Sequence, residues 1–278
     1  MAHYLVTGGT GFLGQALLPR IIPGNKVTVL ARNEGKLLEL KQKFPSIHIL
    51  AGDLANPFVA RQACYDVTGI FHLAGFKHVG MAEKQPLECY LTNVSGTFNL
   101  LNAADREAVE FIVGTSTDKA YRVSGVYGAS KLLMEALFRQ FEGLNPGIKY
   151  RVVRYGNVLY STGSVLCKWR DLIKENKEVI VTDLDSTRFY WSVDKAVDLL
   201  FDSLNLATDS SPYVPVMKSM RLGSLLDAMI AKYNPYFSAG IKIIGLQPGE
   251  NKHEQIAHWL PSSDESEQFT MEGIMELI

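Results

Sequence analysis

Short apolar runs alternate with helical patterns through the first 155 residues of the chain. The runs that we expect to form strands span 3–7, 26–31, 47–51, 69–74, 110–115 and 150–155. Between them, apolar residues recur at spacings of three and four, which predicts helices over 12–21, 34–44, 57–64, 86–106 and 125–141. Apolar strands that alternate with helices are typical of a parallel sheet covered on both faces. The pattern predicts an α/β fold with a Rossmann-type, doubly wound parallel sheet.

The alternation becomes irregular after residue 155. Helical patterns span 164–175, 192–206 and 222–232, and short strand candidates lie at 179–182 and 241–244. We interpret residues 1–155 as a dinucleotide-binding domain to which about 183–207 return. Residues 156–182 and 208–278 are interpreted as a smaller, partly discontinuous substrate-binding lobe. The polar, acidic segment 262–268 is expected to be a solvated loop or a frayed end.

Composition and charge exclude several classes of protein. The chain has 278 residues, enough to bury a large core, and its 28 basic and 29 acidic residues give a net charge of −1. No stretch concentrates Lys and Arg, so a nucleic-acid partner is not expected. Cys64, Cys89 and Cys167 are far apart and lack CxxC spacing, which fits a reducing compartment. No histidine has a partner at metal-ligand spacing, so no metal site is expected.

Targeting signals are also not apparent. No apolar run approaches the roughly 20 residues that a membrane-spanning helix needs, so no membrane partner is expected. The first predicted strand starts at residue 3 and leaves no room for a signal peptide. These features together predict a cytoplasmic protein.

A glycine-rich loop follows the first predicted strand. Gly8, Gly11 and Gly14 fall between that strand and the first helix, which is the context that a dinucleotide-binding motif requires. Gly8 permits a tight turn, Gly11 lets the backbone approach a pyrophosphate, and Gly14 lets the helix pack on the strand. The loop predicts a bound dinucleotide, and a purely structural strand-to-helix turn is the alternative.

The end of the second predicted strand favours NADP over NAD as that dinucleotide. A carboxylate for the ribose hydroxyls is missing there, and Arg32 stands where it could meet a 2′-phosphate, with Lys36 one helical turn later. A solvated helix start is the alternative interpretation. Asp53, after the third strand, is a candidate for contact with the adenine, although aspartate also caps helices.

Two short motifs near the fifth predicted strand suggest acid–base chemistry. Tyr127 and Lys131 are four residues apart on one helix face, and we expect the ammonium to lower the pKa of the tyrosine toward neutrality. Such a tyrosine can take the proton of a substrate alcohol while hydride leaves. Thr117, Asp118 and Lys119 begin at the carboxyl end of that strand, and an acid beside an amine suits an elimination. An ordinary loop with a solvated Asp–Lys pair is the alternative.

These motifs carry a family resemblance. The glycine loop, the Tyr127–Lys131 pair and the Val-Arg-Tyr-Gly-Asn-Val run at 153–158 resemble extended short-chain dehydrogenases/reductases that act on nucleotide sugars. Segments 76–79, 86–89, 92–94, 116–120, 187–189, 248–250 and 253–254 resemble, more specifically, the inverting UDP-N-acetylglucosamine 4,6-dehydratases of the polysaccharide biosynthesis protein family. The matches occur in order over nearly the whole chain. The Thr-Asp-Lys triplet distinguishes this branch within the superfamily, because related retaining dehydratases typically carry Thr-Asp-Glu at this place.

The resemblance implies a reaction cycle. Tyr127 would deprotonate the sugar 4-hydroxyl as hydride passes from carbon 4 to NADP⁺, and Lys119 would then remove the acidified proton at carbon 5. Asp118 would protonate the departing 6-hydroxyl, Thr117 would hold the sugar, and hydride would return to carbon 6 with inversion at carbon 5. Lys119 must be neutral to act as a base, so we expect Lys131 or desolvation to lower its pKa.

The resemblance also implies binding residues and a homo-oligomer. We expect nucleotide-sugar contacts from Lys77, Asn157, Ser164, Arg188 and Glu250, with Arg188 suited to a diphosphate, although a structural salt bridge is as plausible for it. Oligomerisation is expected through the helices after the fourth and fifth strands. The expected cofactor contacts are Gly8, Thr10, Gly11, Phe12, Leu13, Gly14, Arg32, Asn33, Lys36, Asp53, Leu54, Leu73, Ala74, Gly75, Lys77, Asn93, Thr115, Tyr127, Lys131, Tyr155, Asn157 and Val158.

Other functions stay open at this point. A 4-epimerase, a 5,6-dehydratase or a 4-reductase of the same fold would leave Asp118 or Lys119 dispensable. A non-catalytic NADP-binding sensor would not need Tyr127 or Lys131, and both are present. The sequence therefore favours a UDP-sugar 4,6-dehydratase over these alternatives.

Overall fold

A six-stranded parallel sheet forms the centre of the computed structural model, which describes residues 1–278. Its strands are β1 (His3–Thr7), β2 (Lys26–Ala31), β3 (His48–Ala51), β4 (Gly69–His72), β5 (Phe111–Thr117) and β6 (Lys149–Tyr155). They are arranged in the order β3-β2-β1-β4-β5-β6, and every neighbouring pair is parallel. The order reverses between β1 and β4, as in a doubly wound fold. The predicted fold class is confirmed.

Helices cover both faces of this sheet. They are α1 (Phe12–Ile21), α2 (Glu34–Lys43), α3 (Pro57–Cys64), α4 (Val79–Lys84), α5 (Pro86–Tyr90), α6 (Gly96–Ala104), α7 (Val126–Leu144), α8 (Val165–Lys174), α9 (Val193–Leu206), α10 (Leu222–Tyr233) and α11 (Met271–Leu277). Helices α3, α6 and α7 share one buried apolar cluster with the sheet, and α1, α2 and α9 share another. Consecutive residues such as Leu5 and Val6 of β1 point into opposite clusters. This burial on both faces explains the nearly continuous apolar strands.

The remaining elements form a smaller layer beside the carboxyl edge of the central sheet. Two short sheets build it, one from β7 (Asn157–Val158), β9 (Thr187–Trp191) and β10 (Ser219–Arg221), the other from β8 (Val179–Val181) and β11 (Ile241–Ile243). Their helices α8, α10 and α11 bury Trp169, Leu225 and Ile274 in a common core. None of the helices combines the length and the hydropathy that crossing a membrane requires.

Several local features differ from the sequence prediction. The helix predicted over 86–106 consists of α5 and α6 joined by a π-helical segment, Leu91–Ser95. Strands β7, β9 and β10 and helices α4 and α11 were not predicted. Strand β9 has only five residues, and Arg188, its second residue, interrupts the apolar pattern that identifies longer strands.

The segment 262–268 is not simply a solvated loop. Ser263 is completely buried, and its hydroxyl lies 2.6 Å from Thr187 Oγ1 and accepts a hydrogen bond from the Glu254 amide at 2.8 Å. Ser266 is also buried. The expectation of a frayed end is therefore wrong for these residues, because short hydroxyl side chains can be buried when they satisfy backbone groups.

A buried hydrogen-bond chain links β1, β4 and the π-helical segment through His72. Thr97 Oγ1 donates to the Asn93 carbonyl at 2.8 Å, so its oxygen accepts from His72 Nε2 at 2.9 Å. His72 Nδ1 then accepts from Thr7 Oγ1 at 2.8 Å, and Thr7 Oγ1 accepts from the Ala74 amide at 3.2 Å. Burial lowers the pKa of His72 to about 3, with a smaller contribution from the Lys131 charge. His72 is therefore a neutral structural residue.

Burial of neutral His72 predicts acid sensitivity of the fold. An unfolded histidine titrates near pH 6.5, so below that pH the unfolded state binds a proton that the folded state excludes down to about pH 3. Stability should fall across this interval by up to about 1.4 kcal/mol per pH unit from this residue.

Thermal unfolding between pH 7 and pH 4 measures this effect. A His72→Gln variant should have a lower Tm at neutral pH but a smaller decrease in Tm on acidification. His258→Gln, at an exposed histidine, is the control and should keep the wild-type dependence. An equal dependence on pH in His72→Gln and wild type would contradict the assignment.

Candidate active site

A cleft of about 1000 Å³ lies at the carboxyl edge of the central sheet. Such an edge, where the strand order reverses, is where open α/β sheets bind ligands. Asn93 and Asp118 are the two proposed residues that lie behind its wall, each 1% exposed. The structure places all other proposed residues along the cleft: Gly8, Thr10, Gly11, Phe12, Leu13, Gly14, Arg32, Asn33, Lys36, Asp53, Leu54, Leu73, Ala74, Gly75, Lys77, Thr115, Thr117, Lys119, Tyr127, Lys131, Tyr155, Asn157, Val158, Ser164, Arg188 and Glu250.

The glycine loop forms a cradle at one end of the cleft. Gly8 has a φ of +69°, and a Cβ there would lie 2.7 Å from the Ala74 backbone. A Cβ on Gly14 would lie 2.5 Å from Gly9 Cα, so these turns pack backbone against backbone. Gly11 precedes α1 without a side-chain cap, which leaves the first amides of the helix available to a phosphate. The loop therefore fits the pyrophosphate of a dinucleotide.

Two cations stand at the carboxyl end of β2. Arg32 Nη1 is 3.8 Å from Asp53 Oδ2 in an exposed pair, and Asn33 caps α2 by accepting a hydrogen bond from the Lys36 amide at 2.9 Å. Exposed pairs of this length hold their partners weakly. Arg32 and Lys36 are therefore available to an anionic ligand group, and Asp53 partly offsets their charge.

Asn93 positions the loop that follows β4 and does not contribute directly to the cleft surface. From the π-helical segment, its Oδ1 accepts from the Phe76 amide at 2.7 Å, and its Nδ2 donates to the Phe76 carbonyl at 3.0 Å. The same Nδ2 lies 2.9 Å from Ser130 Oγ on α7. Asn93 thereby connects this loop to the helix that carries Tyr127.

Tyr127 and Lys131 both face the cleft from the first turns of α7. Burial raises the pKa of Tyr127 to about 12, and Lys119 is the main charge that opposes this rise. Lys131 Nζ donates to the Thr115 carbonyl at 2.7 Å, and burial lowers its pKa to about 8. The expectation that Lys131 brings the pKa of Tyr127 toward neutrality is therefore wrong for the protein alone.

Thr117, Asp118 and Lys119 occupy the end of β5 and a single 3₁₀ turn, Asp118–Ala120. Asp118 Oδ1 accepts from Thr117 Oγ1 at 2.8 Å, from the Lys119 amide at 2.9 Å and from Lys119 Nζ at 3.1 Å. Gly128 of α7 packs directly against the Lys119 carbonyl, which brings this turn beside Tyr127. The predicted Asp–Lys pair is therefore a buried ion pair, because the turn is sealed by α7.

The charge state of Lys119 differs from the sequence expectation. Burial alone would lower the pKa of Lys119, but the carboxylates of Asp118 and Glu254 raise it above its ordinary value. The expected lowering by Lys131 or by desolvation is therefore wrong. Lys119 is an ammonium in the resting site.

Glu254 is a site residue to which no role was assigned from the sequence. Its Oε1 lies 3.3 Å from Lys119 Nζ and 3.9 Å from Arg188 Nε, and the side chain is 1% exposed. Arg188 Nη1 also donates to the carbonyls of Thr187 and Lys252, at 2.8 and 2.9 Å. Arg188 thus has the structural contacts that one interpretation expected, and it also lines the cleft.

The far end of the cleft is formed by loops of the smaller layer. Lys77 Nζ donates to the Thr162 carbonyl at 2.9 Å, Ser164 stands immediately before α8, and Glu250 Oε2 accepts from the Gln247 amide. Lys168 also lines this end and was not proposed from the sequence. Its position one turn after Ser164 on an amphipathic helix was the available signal.

Tyr155 lines the cleft, but its hydroxyl is engaged elsewhere. The hydroxyl donates to the Ala196 carbonyl in α9, and burial raises its pKa well above the ordinary value. Tyr155 therefore ties β6 to α9 behind the cleft.

A family model described as "Polysaccharide biosynthesis protein" matches residues 4–277. The chain belongs to this family. It is 34% identical over 273 residues to a UDP-N-acetylglucosamine 4,6-dehydratase (inverting) of Campylobacter jejuni, which covers 95% of this chain and 78% of that protein. It is also 37% identical to an uncharacterized membrane protein of Methanocaldococcus jannaschii (91% and 79% covered) and 32% identical to a UDP-glucose 4-epimerase of Rickettsia bellii (91% and 76%). The resemblance deduced from the sequence is confirmed.

Two solved structures share the fold of this chain. Pen from Bacillus thuringiensis matches with a TM-score of 0.94 at 29% identity, covering 100% of this chain and 96% of that one. The dTDP-glucose 4,6-dehydratase DesIV of Streptomyces venezuelae, solved with NAD and TYD bound, matches with a TM-score of 0.81 at 18% identity, covering 99% and 95%. The second likeness supports the fold alone.

The close backbone packing of the glycine loop predicts a loss of dinucleotide affinity in Gly14→Ala. The added methyl group would push against the Gly9 backbone, which cannot move without displacing the loop. We expect the Kd for NADPH, measured by fluorescence titration, to rise at least about tenfold, a change of about 1.4 kcal/mol.

Gly143→Ala is the matched control, because Gly143 is also helical but a Cβ there meets nothing within 4 Å. It should leave the Kd unchanged and stabilise the fold by about 0.5–1 kcal/mol. Equal Kd values for Gly14→Ala and wild type would contradict the placement of the pyrophosphate.

Proposed function

We propose that this protein is a nucleotide-sugar 4,6-dehydratase. It would convert UDP-N-acetylglucosamine, or a similar UDP-sugar, to a 4-keto-6-deoxy sugar with bound NADP and with inversion at carbon 5. The observation that carries the proposal is the meeting of Thr117, Lys119 and Tyr127 on one cleft wall, with the glycine cradle at the end of the same cleft. The similarity to the Campylobacter jejuni dehydratase supports it.

Tyr127 is the group that takes the proton of the sugar 4-hydroxyl. The dinucleotide, when bound, supplies the hydride acceptor for carbon 4 and the hydride that returns to carbon 6. Tyr127 must be ionised for its role, so positive charge must offset the burial that raises its pKa to about 12. Lys119 already does so in part, and Lys131 follows one turn later on the same helix as Tyr127.

Lys119 acts on the proton at carbon 5, and Asp118 acts on the hydroxyl group at carbon 6. Lys119 Nζ lines the cleft and removes the carbon 5 proton once the neighbouring ketone has acidified it. Asp118 lies behind the wall, but Thr117 Oγ1 lines the cleft and is hydrogen-bonded to Asp118 Oδ1. Asp118 would take a proton from the Lys119 ammonium, which donates to its Oδ1, and pass it on through Thr117 Oγ1 to the departing 6-hydroxyl.

The uridine diphosphate end of the substrate belongs in the outer part of the cleft. Arg188, Lys77 and Lys168 supply positive charge there, and α8 presents its N-terminus beside Ser164. Asn157 and Glu250 complete the polar lining. This distribution supports a sugar position between the proposed diphosphate site and Tyr127.

A 4-epimerase is the second candidate function, because the chain is also similar to UDP-glucose 4-epimerases. That reaction requires Tyr127 and the dinucleotide but leaves Asp118 and Lys119 without a chemical task. The buried Asp118–Lys119 pair favours the dehydratase.

We further propose a homo-oligomer and a cytoplasmic location. Leu87, Tyr90 and Phe98 on α5 and α6, and Leu132 and Leu133 on α7, expose large apolar side chains on neighbouring helices. Such a patch suits contact with a second copy. The three cysteines are free thiols, which supports a reducing compartment.

Turnover of UDP-N-acetylglucosamine in deuterated water, without added cofactor, tests the proposed reaction. We expect NMR to detect a 4-keto-6-deoxy product with deuterium at carbon 5 and inverted configuration. Lys119→Met should lower the rate by about 10²–10⁴-fold, because the carbon 5 proton loses its acceptor.

Lys149→Met is the control, at an exposed lysine where β6 begins, and should retain the wild-type rate. The proposal would be contradicted if the product were the 4-epimer without deuterium at carbon 5 and if Lys119→Met formed it at the wild-type rate. That result would identify the protein as an epimerase.

The cations after β2 predict a preference for the phosphorylated dinucleotide. Arg32→Ala should raise the Kd for NADPH by about 10- to 100-fold and leave the Kd for NADH nearly unchanged, because a hydrogen bond to a charged group contributes about 1.5–3 kcal/mol. Arg139→Ala, on the exposed face of α7, controls for the change in net charge. An equal rise in Kd for NADPH and NADH in Arg32→Ala would argue against a contact between Arg32 and the 2′-phosphate.

A further inference from the structure

A carboxylate from the smaller layer lies directly behind Lys119. Glu254 Oε1 is 3.3 Å from Lys119 Nζ, and Asp118 Oδ1 is 3.1 Å from the same atom. Both carboxylates are 1% exposed, so one ammonium lies between two buried acids that come from distant parts of the chain. Glu254 does not line the cleft, so it meets the substrate only through Lys119.

Glu254 is held firmly in this place. Its amide donates to Ser263 Oγ at 2.8 Å, and Ser263 Oγ in turn donates to the Thr187 carbonyl at 3.1 Å. Asn251 Nδ2 donates to Glu254 Oε2 at 3.2 Å. Oε2 is thus satisfied by an amide, whereas Oε1 is buried without a hydrogen bond and faces the Lys119 ammonium.

The charges around Lys119 balance only while its proton stays in the cluster. Asp118 and Glu254 contribute two negative charges, and Lys119 and Arg188 contribute two positive ones. Tyr127 and Tyr190, the other titratable groups that face the cluster, are phenols whose pKa values burial raises to about 12. Loss of the Lys119 proton to solvent would leave a net buried negative charge, which is costly.

The two carboxylates are not equal as proton acceptors. Asp118 Oδ1 already accepts three hydrogen bonds, from Thr117 Oγ1, the Lys119 amide and Lys119 Nζ, whereas Glu254 accepts one, at Oε2 from Asn251 Nδ2. Each carboxylate has one buried oxygen without a hydrogen bond, Asp118 Oδ2 and Glu254 Oε1, and Glu254 Oε1 is the one that lies 3.3 Å from Lys119 Nζ. Burial and the neighbouring Asp118 raise the pKa of Glu254, which makes it a better proton acceptor than an ordinary carboxylate.

We propose that Glu254 accepts the ammonium proton of Lys119 and thereby delivers a neutral amine to the sugar. In this step one Nζ–H bond breaks and one Oε1–H bond forms, so the charge of the cluster is unchanged. Lys119 then forms a new N–H bond with the proton from carbon 5. Glu254 is ionised again when its proton passes by way of Lys119 and Asp118 to the departing 6-hydroxyl, which leaves as water. Carbon 5 takes its new proton from solvent, and Tyr127 releases the 4-hydroxyl proton to solvent. This role rests on the proposed dehydratase function.

The dependence of kcat on pH tests this role in Glu254→Gln, which keeps the size of the side chain but cannot accept the proton. Wild type should have a kcat that changes little between pH 6.5 and 8.5, because the transfer is internal to the cluster. The variant must lose the Lys119 proton to solvent. Its kcat should be about 100-fold lower at pH 7 and rise about tenfold per pH unit, with KM nearly unchanged.

Glu276→Gln, at an exposed carboxylate on α11, is the control and should match wild type. A uniform decrease of kcat at every pH in Glu254→Gln, or no decrease, would assign Glu254 a structural role and overturn the proposal. If Glu254→Gln does not fold, as judged by its Tm and NADPH binding, Glu254→Asp serves the test. It retains an acceptor and should keep a flat profile at reduced kcat, and a sloping profile there would overturn the proposal.

The wild-type reaction separates this inference from the function on which it rests. If the wild-type protein forms no 4-keto-6-deoxy product from any UDP-sugar, the proposed dehydratase function is wrong. An active wild type with a flat Glu254→Gln profile would remove only the role of Glu254.

Discussion

The parallel arrangement of the six strands is the constraint on which the rest of the structure depends. Parallel pairing brings the carboxyl ends of β1, β2, β4, β5 and β6 to one edge, and each strand must be followed by a return helix. The strand order reverses between β1 and β4, where the Gly8 turn packs against the Ala74 backbone without intervening side chains. The cradle, the 3₁₀ turn and the start of α7 therefore meet in one cleft because of the sheet's topology.

Within that cleft, burial competes with charge pairing at every ionisable group. Desolvation dominates at Lys131 and Tyr127, whose neutral forms it favours. At Lys119 two carboxylates outweigh the same effect and keep the amine protonated. The pKa values of two lysines of the same site are thus shifted in opposite directions by their surroundings, which is how one protein interior can separate the tasks of its titratable groups.

The sequence predicted the parts of the structure that local patterns encode. The six strands, α1, α3 and α9 followed from periodicity, and the glycine loop was found because only glycine tolerates the contacts at positions 8 and 14. Glu254 lies in segment 253–254, which resembles the family, but its contact with Lys119 could not be predicted, because the two residues are far apart in sequence and no local pattern shows that they meet. The same reason explains the wrong pKa expectations, since pKa values depend on burial and neighbours that the sequence does not show. The buried Ser263 was missed because its surroundings are polar.

The position of Glu254 has a consequence for the order in which the chain acquires its chemistry during synthesis. Domains generally fold as they emerge from the ribosome, so the central sheet, completed at Tyr155, can form long before residue 254 appears. Until then Lys119 has Asp118 as its sole carboxylate partner and lies at a surface open to water. The lysine gains its second carboxylate and its enclosure only when the last tenth of the chain docks. A nascent chain thus forms its glycine cradle first and completes the charged cluster around Lys119 last.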